Sequence, residues 1–202
     1  MNIKKGIRLI TLGATGIFFI LTIGLMCIHF WLSVKWKDFY TEQEMKAMAL
    51  QIESARILPE NFYMTYDKVY PDSRNISIGQ MTLKVIGHLL TLNESEIQSA
   101  RPCNCLVASY YFDNKLPMRY HGWSSYILTY GLENYTSPSK CLDFLYEQLQ
   151  IRSLANQYFS KNIDELTERQ NLELILRMKR QKFYDENPAL LAKELKSYEF
   201  KL

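Results

Sequence analysis

Three cysteines that could form a covalent cross-link lie in the middle of the chain. Cys103 and Cys105 are separated by one residue, and Cys141 follows much later. In an oxidising compartment one of the first two can pair with Cys141, and we take Cys103–Cys141 as the candidate disulfide. Closing that loop would stabilise the fold by about 3–4 kcal/mol in the chain-entropy model. Unpaired thiols are one alternative, and a zinc site is a weaker one because no histidine lies near the cysteines. We predict no metal and no cofactor.

The densest group of positive charges spans residues 177–182, and its members Arg177, Lys179 and Arg180 are candidate anion-binding residues. Such a run is usually a solvated helix end, where cations suit the negative pole of the helix dipole. The alternative is that these side chains bind anionic lipid head groups or pyrophosphate. The sequence leaves both interpretations open.

The segment from Leu9 to Val34 is a candidate membrane anchor, and it would hold the cysteines and the basic run near a membrane. It runs for 26 residues without Lys, Arg, Asp or Glu, and about 20 helical residues cross a bilayer. Its length and the lack of an A-x-A pattern argue against a cleaved signal peptide. Met26 before Cys27 argues against a lipoprotein signal. We therefore predict that residues 1–34 form a short cytoplasmic tip and a transmembrane anchor, with the N-terminus inside because three basic residues precede the segment.

Residues 35–202 carry no net formal charge. All 21 acidic residues lie there, and three of the 24 basic residues precede the apolar segment, so the net charge of +3 belongs to the N-terminal tip. A nucleic-acid-binding domain would show a basic face. We therefore predict membrane lipid, and no nucleic acid, as a partner. The length suits one domain with its own core.

Apolar residues recur at helical spacing along residues 35–202, without an alternating strand series. A capping box at Thr41–Glu44 opens an amphipathic helix, so we predict a juxtamembrane helical segment over 35–57 that either lies on the bilayer or packs on the domain. The run 106–112 fits a short strand or a buried helical turn. Further helices are predicted over 60–69, 77–92, 123–133, 138–149, 152–159, 167–178 and 187–200. The fold class is therefore mostly α.

Part of the chain resembles the glycosyltransferase family 51 domain, which is the bacterial peptidoglycan transglycosylase. The strongest stretch is Ala155–Thr167, where A-N-Q-Y-F-S-K and then E-L-T resemble the family's A-x-x-Y-F-G-K and E-L-T. Tyr184–Pro188 resembles its Y-N-P with extra residues, and Cys141–Leu145 resembles its I-L-E-x-Y. Leu58–Glu60 looks like its I-P-P-E. Residues 77–90 align with its G-G-S-T-I-T-Q-Q helix.

The resemblance implies that residues 58–202 form a lysozyme-like α-helical domain resting on the bilayer. Its implied ligand is lipid II, the lipid-linked peptidoglycan precursor. Thr82 falls on the second threonine of the family helix, and Leu83-Lys84 replaces the family's Gln-Gln pair. Thr82 and Lys84 are therefore the candidate substrate-binding residues that the resemblance adds to the basic run.

The catalytic residues of the family are replaced in this chain. The family uses one glutamate as general base and a second, with basic residues, to assist departure of pyrophosphate. By spacing, these positions fall near Val69-Tyr70 and within Gly122–Ser125, and neither holds a glutamate. The acids that could substitute for them are Asp67, Asp72, Glu133 and Asp143. Each of these is more typical of a surface or capping carboxylate.

We therefore expect a bitopic protein of the bacterial cytoplasmic membrane that is inactive as an enzyme and binds a lipid-linked precursor or a cell-wall synthesis protein. In that case Val69, Tyr70 and Ser125 would line the former catalytic cleft. One alternative is an unrelated membrane-anchored helical scaffold. The other is an active peptidoglycan glycosyltransferase with rearranged carboxylates, which requires two acids facing one cleft.

Overall fold

A computed structural model describes residues 16, 20, 22–71, 73–91, 102–112 and 122–199. These residues are mostly helical, and none of them forms a strand, so the predicted mostly α class is confirmed. The run 106–112, which fitted a strand or a helical turn, belongs in its first part to the helix Asn104–Ser109.

Most helices follow the predicted boundaries closely, whereas Gln181–Glu186 was not predicted as a helix. Helix α1 covers residues 22–35, and a 3₁₀ turn follows at Trp36–Asp38. The others are α2 (Glu42–Glu53), α3 (Glu60–Val69), α4 (Ile78–Thr91), α5 (Asn104–Ser109), α6 (Ser124–Leu132), α7 (Pro138–Gln148), α8 (Ile151–Phe159), α9 (Glu168–Lys179), α10 (Gln181–Glu186) and α11 (Pro188–Glu199).

Side-chain caps explain where several helices begin. Thr41 and Glu44 form a reciprocal capping box at the start of α2, and Thr167 does the same with Gln170 at α9. The Ser137 side chain accepts the Lys140 N–H ahead of α7. These caps satisfy backbone donors that a helix start leaves unpaired.

Two hydrophobic cores meet along two different faces of α7. The first core takes Cys141 and Leu145 from α7 and is completed by α2, α5, α6, the start of α4 and the end of α1. The second core takes Leu142 and Tyr146 and is completed by α3 and α8–α11. Residues at adjacent positions of a helix point in different directions, so a single helix can serve both cores.

Helix α2 is an integral part of the first core. Met45 and Ile52 are both 0% exposed there, and α2 contacts α6 and α7. Of the two arrangements predicted for segment 35–57, the structure shows the one in which the helix packs on the domain.

The end of the apolar segment also enters the first core, through Leu32 in α1 and the following Trp36. Residues 9–15, 17–19 and 21 of the predicted span lie outside the described residues. Within the described part of the chain, no helix has the length and apolar character needed to cross a membrane.

The disulfide joins Cys105, not Cys103, to Cys141, with a Cα–Cα distance of 5.0 Å. The predicted Cys103–Cys141 pair is therefore wrong. Cys105 is the second residue of α5, which packs directly on α7, whereas Cys103 precedes α5 and its thiol is buried and unbonded. Cys103 and Cys105 lie at nearly the same sequence distance from Cys141. Only the packing of α5 determines which of them pairs with it.

Candidate ligand-binding cleft

A cleft of about 720 Å³ opens between the end of α3 and the start of α4. Its walls come from α3, the following turn and the outward face of α4. The lining residues are Asp67, Pro71, Arg74, Asn75, Ile76, Gln80, Leu83 and Lys84. Two of the sequence-predicted residues, Asp67 and Lys84, are thus brought to one site.

The turn that forms the floor of the cleft is held from beneath by a buried asparagine. The Asn104 side-chain N–H groups donate to the carbonyls of Ser73 and Arg74, both at 3.2 Å. Its oxygen accepts a hydrogen bond from the Tyr66 hydroxyl at 3.2 Å. Because a buried amide keeps its position only while these bonds are satisfied, Asn104 fixes the turn that carries Arg74.

Helix α4 begins at the cleft with a reciprocal cap. The Gln80 side chain accepts the Ser77 N–H at 3.0 Å, and the Ser77 hydroxyl accepts the Gln80 N–H at 3.2 Å. This cap was predicted from Ser77-Ile78-Gly79-Gln80. It presents the following turn of α4, including Leu83 and Lys84, to the cleft.

The charges in the cleft favour an anionic ligand. Asp67 forms an ion pair with Arg74 at 3.4 Å, and the Arg74 guanidinium also lies 4.9 Å from the centre of the Tyr63 ring. Lys84 adds a second, exposed cation. The described lining residues thus carry two cations against one carboxylate, and arginine and lysine bind phosphate-type groups well.

Glu133 lies away from the cleft and caps α4 from the side of α6. Both of its carboxylate oxygens accept the Ile78 N–H, at 2.8 and 3.0 Å. Burial raises the pKa of Glu133 to about 7, and the hydrogen bond from Ile78 opposes this shift. The capping role predicted for this acid fits the geometry, although the side chain is largely buried.

Asp143 is a buried connector between α7 and the start of α3. It is 2% exposed, accepts the Leu58 N–H at 3.2 Å and the Tyr63 hydroxyl, and lies 3.9 Å from Lys140. Burial raises the pKa of Asp143, while these three partners lower it. Burial and the hydrogen bond to Asp143 raise the pKa of the Tyr63 hydroxyl. Asp143 is therefore a buried connector and not a surface acid.

The basic run at 177–182 separates into one enclosed and two exposed residues. Arg177 bonds Glu173 at 2.9 Å and Asp185 at 2.6 Å, and it lies 4.5 Å from the centre of the Tyr158 ring. Lys179 and Arg180 are exposed where α9 ends. Arg177 thus joins α8, α9 and α10 through these contacts, and the anion-binding role of the basic run stays a prediction.

The remaining predicted positions do not meet at the cleft. Thr82 is on the opposite side of α4, where it hydrogen-bonds Tyr130. Val69 is buried in the second core and Tyr70 packs against it. The Ser125 carbonyl accepts the Thr129 hydroxyl within α6. Val69, Tyr70 and Ser125 are not among the lining residues of this cleft, so their place in a former catalytic cleft stays a prediction, and Asp72 lies outside the described residues.

The free thiol of Cys103 has no chemistry of its own in this arrangement. Its side chain is buried, and burial raises its pKa to about 12. Thiols react as thiolates, so this one is inert. Among the described residues, no group of three or more histidine, cysteine, aspartate or glutamate side chains could hold a metal ion.

The sequence did not identify Arg74, Gln80 or Asn104 as parts of the site. Arg74 lies in a stretch that predicts only a turn. Gln80 was recognised as a cap and not as a cleft residue. Asn104 stands between two cysteines, and a buried asparagine gives no periodic signal. The one usable indication of the site in the sequence was Arg74, because it directly follows the Pro71-Asp72-Ser73 turn that ends a predicted helix.

Comparison with known proteins gives no match: no family model, no curated protein and no solved structure corresponds to the chain.

Proposed function

We propose that the protein is a membrane-anchored, catalytically impaired relative of the family 51 transglycosylases that binds an anionic, lipid-linked precursor in the cleft between α3 and α4. The observation that carries the proposal is the lining of this cleft. Among the described residues it holds two cations and one carboxylate, and that carboxylate is paired with Arg74. Such a site suits a diphosphate group, and its described lining residues do not include the pair of acids that glycosyl transfer requires.

The cleft lies between the two helices that the resemblance aligns with the family's first and second motifs. A second observation supports the kinship. Ser160 has a φ of 52°, and it occupies the position of glycine in the family's A-x-x-Y-F-G-K. Glycine is favoured at a left-handed helix end, so the backbone retains a conformation that suits the family residue.

We further propose that residues 9–34 anchor the chain in the bacterial cytoplasmic membrane, with residues 35–202 outside. The Cys105–Cys141 disulfide supports this orientation, because stable disulfides are typical of oxidising compartments. Three basic residues before the apolar segment favour the same direction.

The test is lipid II binding and polymerisation by the full-length protein in detergent. We expect binding without glycan polymer. Lys84→Ala should weaken binding about tenfold, since a hydrogen bond to a charged group is worth about 1.5 kcal/mol. Lys46→Ala is the matched control, because Lys46 is an exposed lysine of α2 outside the cleft.

Other results would favour the alternatives. Glycan chains that disappear in Asp67→Asn would establish an active enzyme with a replacement acid. Absence of both binding and polymer would favour a membrane-anchored scaffold, and equal binding by Lys84→Ala and Lys46→Ala would exclude the cleft as the binding site.

A further inference from the structure

Three consecutive residues at the start of α5 lie beneath the cleft, and each of them bonds a different part of the domain. The Cys103 N–H donates to the Met81 sulfur of α4 at 3.2 Å. The Asn104 side chain donates to two carbonyls of the turn that forms the cleft floor. Cys105 is joined to α7 by its disulfide. We call Cys103–Cys105 the support segment.

The support segment contacts both walls of the cleft as well as its floor. Met81 lies on the buried face of α4, and Lys84 follows it on the face that lines the cleft. On the other side, the Tyr66 hydroxyl of α3 donates to the Asn104 oxygen, and the next residue, Asp67, lines the cleft. A shift of this segment would therefore displace α3, the turn and α4 relative to one another.

The disulfide restrains the support segment within the domain. Helix α5 has six residues, and a helix of that length has little stability of its own. Asn104 immediately precedes Cys105, so the covalent bond to Cys141 restrains the backbone beside the amide that holds the turn. None of these three residues is more than 1% exposed, and a closely packed interior leaves them little room to move.

Arg74 is the cleft residue whose position depends most directly on Asn104. Asn104 bonds its carbonyl at 3.2 Å, Asp67 pairs with its Nε at 3.4 Å, and the centre of the Tyr63 ring lies 4.9 Å from its guanidinium. Its backbone and its side chain are therefore both restrained before any ligand binds. A group held in place beforehand binds more tightly, because less conformational entropy is lost on binding.

We propose that the support segment determines the affinity of the cleft for its anionic ligand, with Asn104 as a positioning residue for Arg74 and the Cys105–Cys141 disulfide as the bond that holds Asn104 in place. The inference rests on the proposed function of the cleft. It adds a dependence between distant residues, because the contribution of Arg74 to binding disappears when the Asn104 amide is removed. Since stable disulfides form in oxidising compartments, the cleft reaches its full affinity only on the outer side of the membrane.

A double-mutant cycle on lipid II binding by the full-length protein in detergent tests the role of Asn104. Arg74→Gln and Asn104→Ala should each weaken binding about tenfold. Adding Arg74→Gln to Asn104→Ala should weaken it further by less than about twofold, since Arg74 is no longer positioned. Lys84→Ala should still cost about tenfold in the Asn104→Ala background. Asn171→Ala is the matched control, because Asn171 is a buried asparagine of α9, and it should leave the affinity unchanged.

Hydrogen exchange tests the disulfide without any ligand. Ile52→Ala serves as the reference, because it leaves a cavity in the same core and so destabilises the protein without breaking the bond. In Cys105→Ser/Cys141→Ser, the amide hydrogens of residues 73–76 should exchange at least about fivefold faster than in Ile52→Ala, once the rates are corrected for the difference in global stability.

The inference and the proposed function can fail separately in these experiments. If the wild type binds lipid II but the losses from Arg74→Gln and Asn104→Ala multiply, the inference is overturned while the proposed function stands. Equal exchange at residues 73–76 in the disulfide variant and in Ile52→Ala overturns the role of the disulfide. If the wild type binds no lipid II, the proposed function is overturned together with the claim on affinity. A coupled cycle and faster local exchange support the whole inference.

Discussion

The two cores that share α7 are stabilised by different kinds of polar and covalent contacts. The first core has the Cys105–Cys141 disulfide and the Glu133 carboxylate, whose hydrogen bonds both come from Ile78. The second core is bordered by Asp143, with three partners, and by Arg177, with two carboxylates and a ring.

This difference determines how each core should respond to its surroundings. A disulfide responds to the redox conditions, and a buried carboxylate with few partners responds to pH. A well-satisfied polar cluster is insensitive to redox conditions, but losing one member leaves the others unpaired. The first core also holds α1 and the start of α4, so conditions that alter it would reach both the proposed anchor and the cleft.

The largest effect is expected from removing the disulfide. Cys105→Ser/Cys141→Ser should lower the free energy of unfolding by about 4 kcal/mol, because the bond closes a long loop in the unfolded chain. Denaturant unfolding followed by circular dichroism in detergent measures this. Cys27→Ser is the control, since Cys27 is exposed and unpaired. Equal stability of the double variant and the control would show that the first core does not depend on the bond.

A smaller loss is expected from Asp143→Ala in the second core. It should cost about 2–3 kcal/mol, because the Leu58 N–H and the Tyr63 hydroxyl would be left buried without an acceptor. Asp164→Ala removes an exposed carboxylate paired with Arg152, and it should cost less than about 1 kcal/mol.

A double-mutant cycle separates the contact from simple burial. If Tyr63→Phe is introduced first, Asp143→Ala should cost less, since one stranded donor is already gone. If the losses in unfolding free energy from the two substitutions are additive, the Tyr63–Asp143 contact contributes nothing to the stability of the second core.

In the first core, the pH dependence of stability should arise from Glu133. Its folded-state pKa is raised from 4.5 to about 7 by burial, so between these values the folded chain binds more protons than the unfolded chain. Stability therefore falls as the pH rises from about 4.5 to about 7 and levels off above that range. Glu133→Gln keeps an acceptor for Ile78 and should lose this part of the slope.

The measurement is the unfolding free energy at several pH values for the wild type and Glu133→Gln. The difference between the two free energies should shift in favour of Glu133→Gln as the pH rises from about 4.5 to about 7, and it should be constant above that range. Parallel pH curves for the two proteins would contradict the assignment of the slope to this carboxylate.

Local signals predicted the helices well, because capping residues and apolar spacing act within a few positions of each other. The capping boxes at Thr41 and Thr167 are examples. The disulfide partner and the cleft depend on contacts between distant segments. Cys105 was selected by the packing of α5 on α7, and Arg74 is held by Asn104. The sequence alone therefore predicted Asp67, Lys84 and the turn between them, but it did not show that Arg74 in this turn belongs to the site.

The smallest effect is expected at Ser160. This residue follows α8 of the second core, and it stands where the motif of the transglycosylase family has glycine. Ser160 has a φ of 52° at the end of α8, a conformation that glycine adopts without a steric penalty. Ser160→Gly should therefore stabilise the protein by about 0.5–1 kcal/mol. Ser153→Gly is the matched control, because it is an exposed serine inside the same helix, where glycine should destabilise by about 0.5 kcal/mol. Opposite signs for the two substitutions in denaturant unfolding would show that the family's glycine suits this backbone, whereas a loss at both positions would remove that support for the kinship.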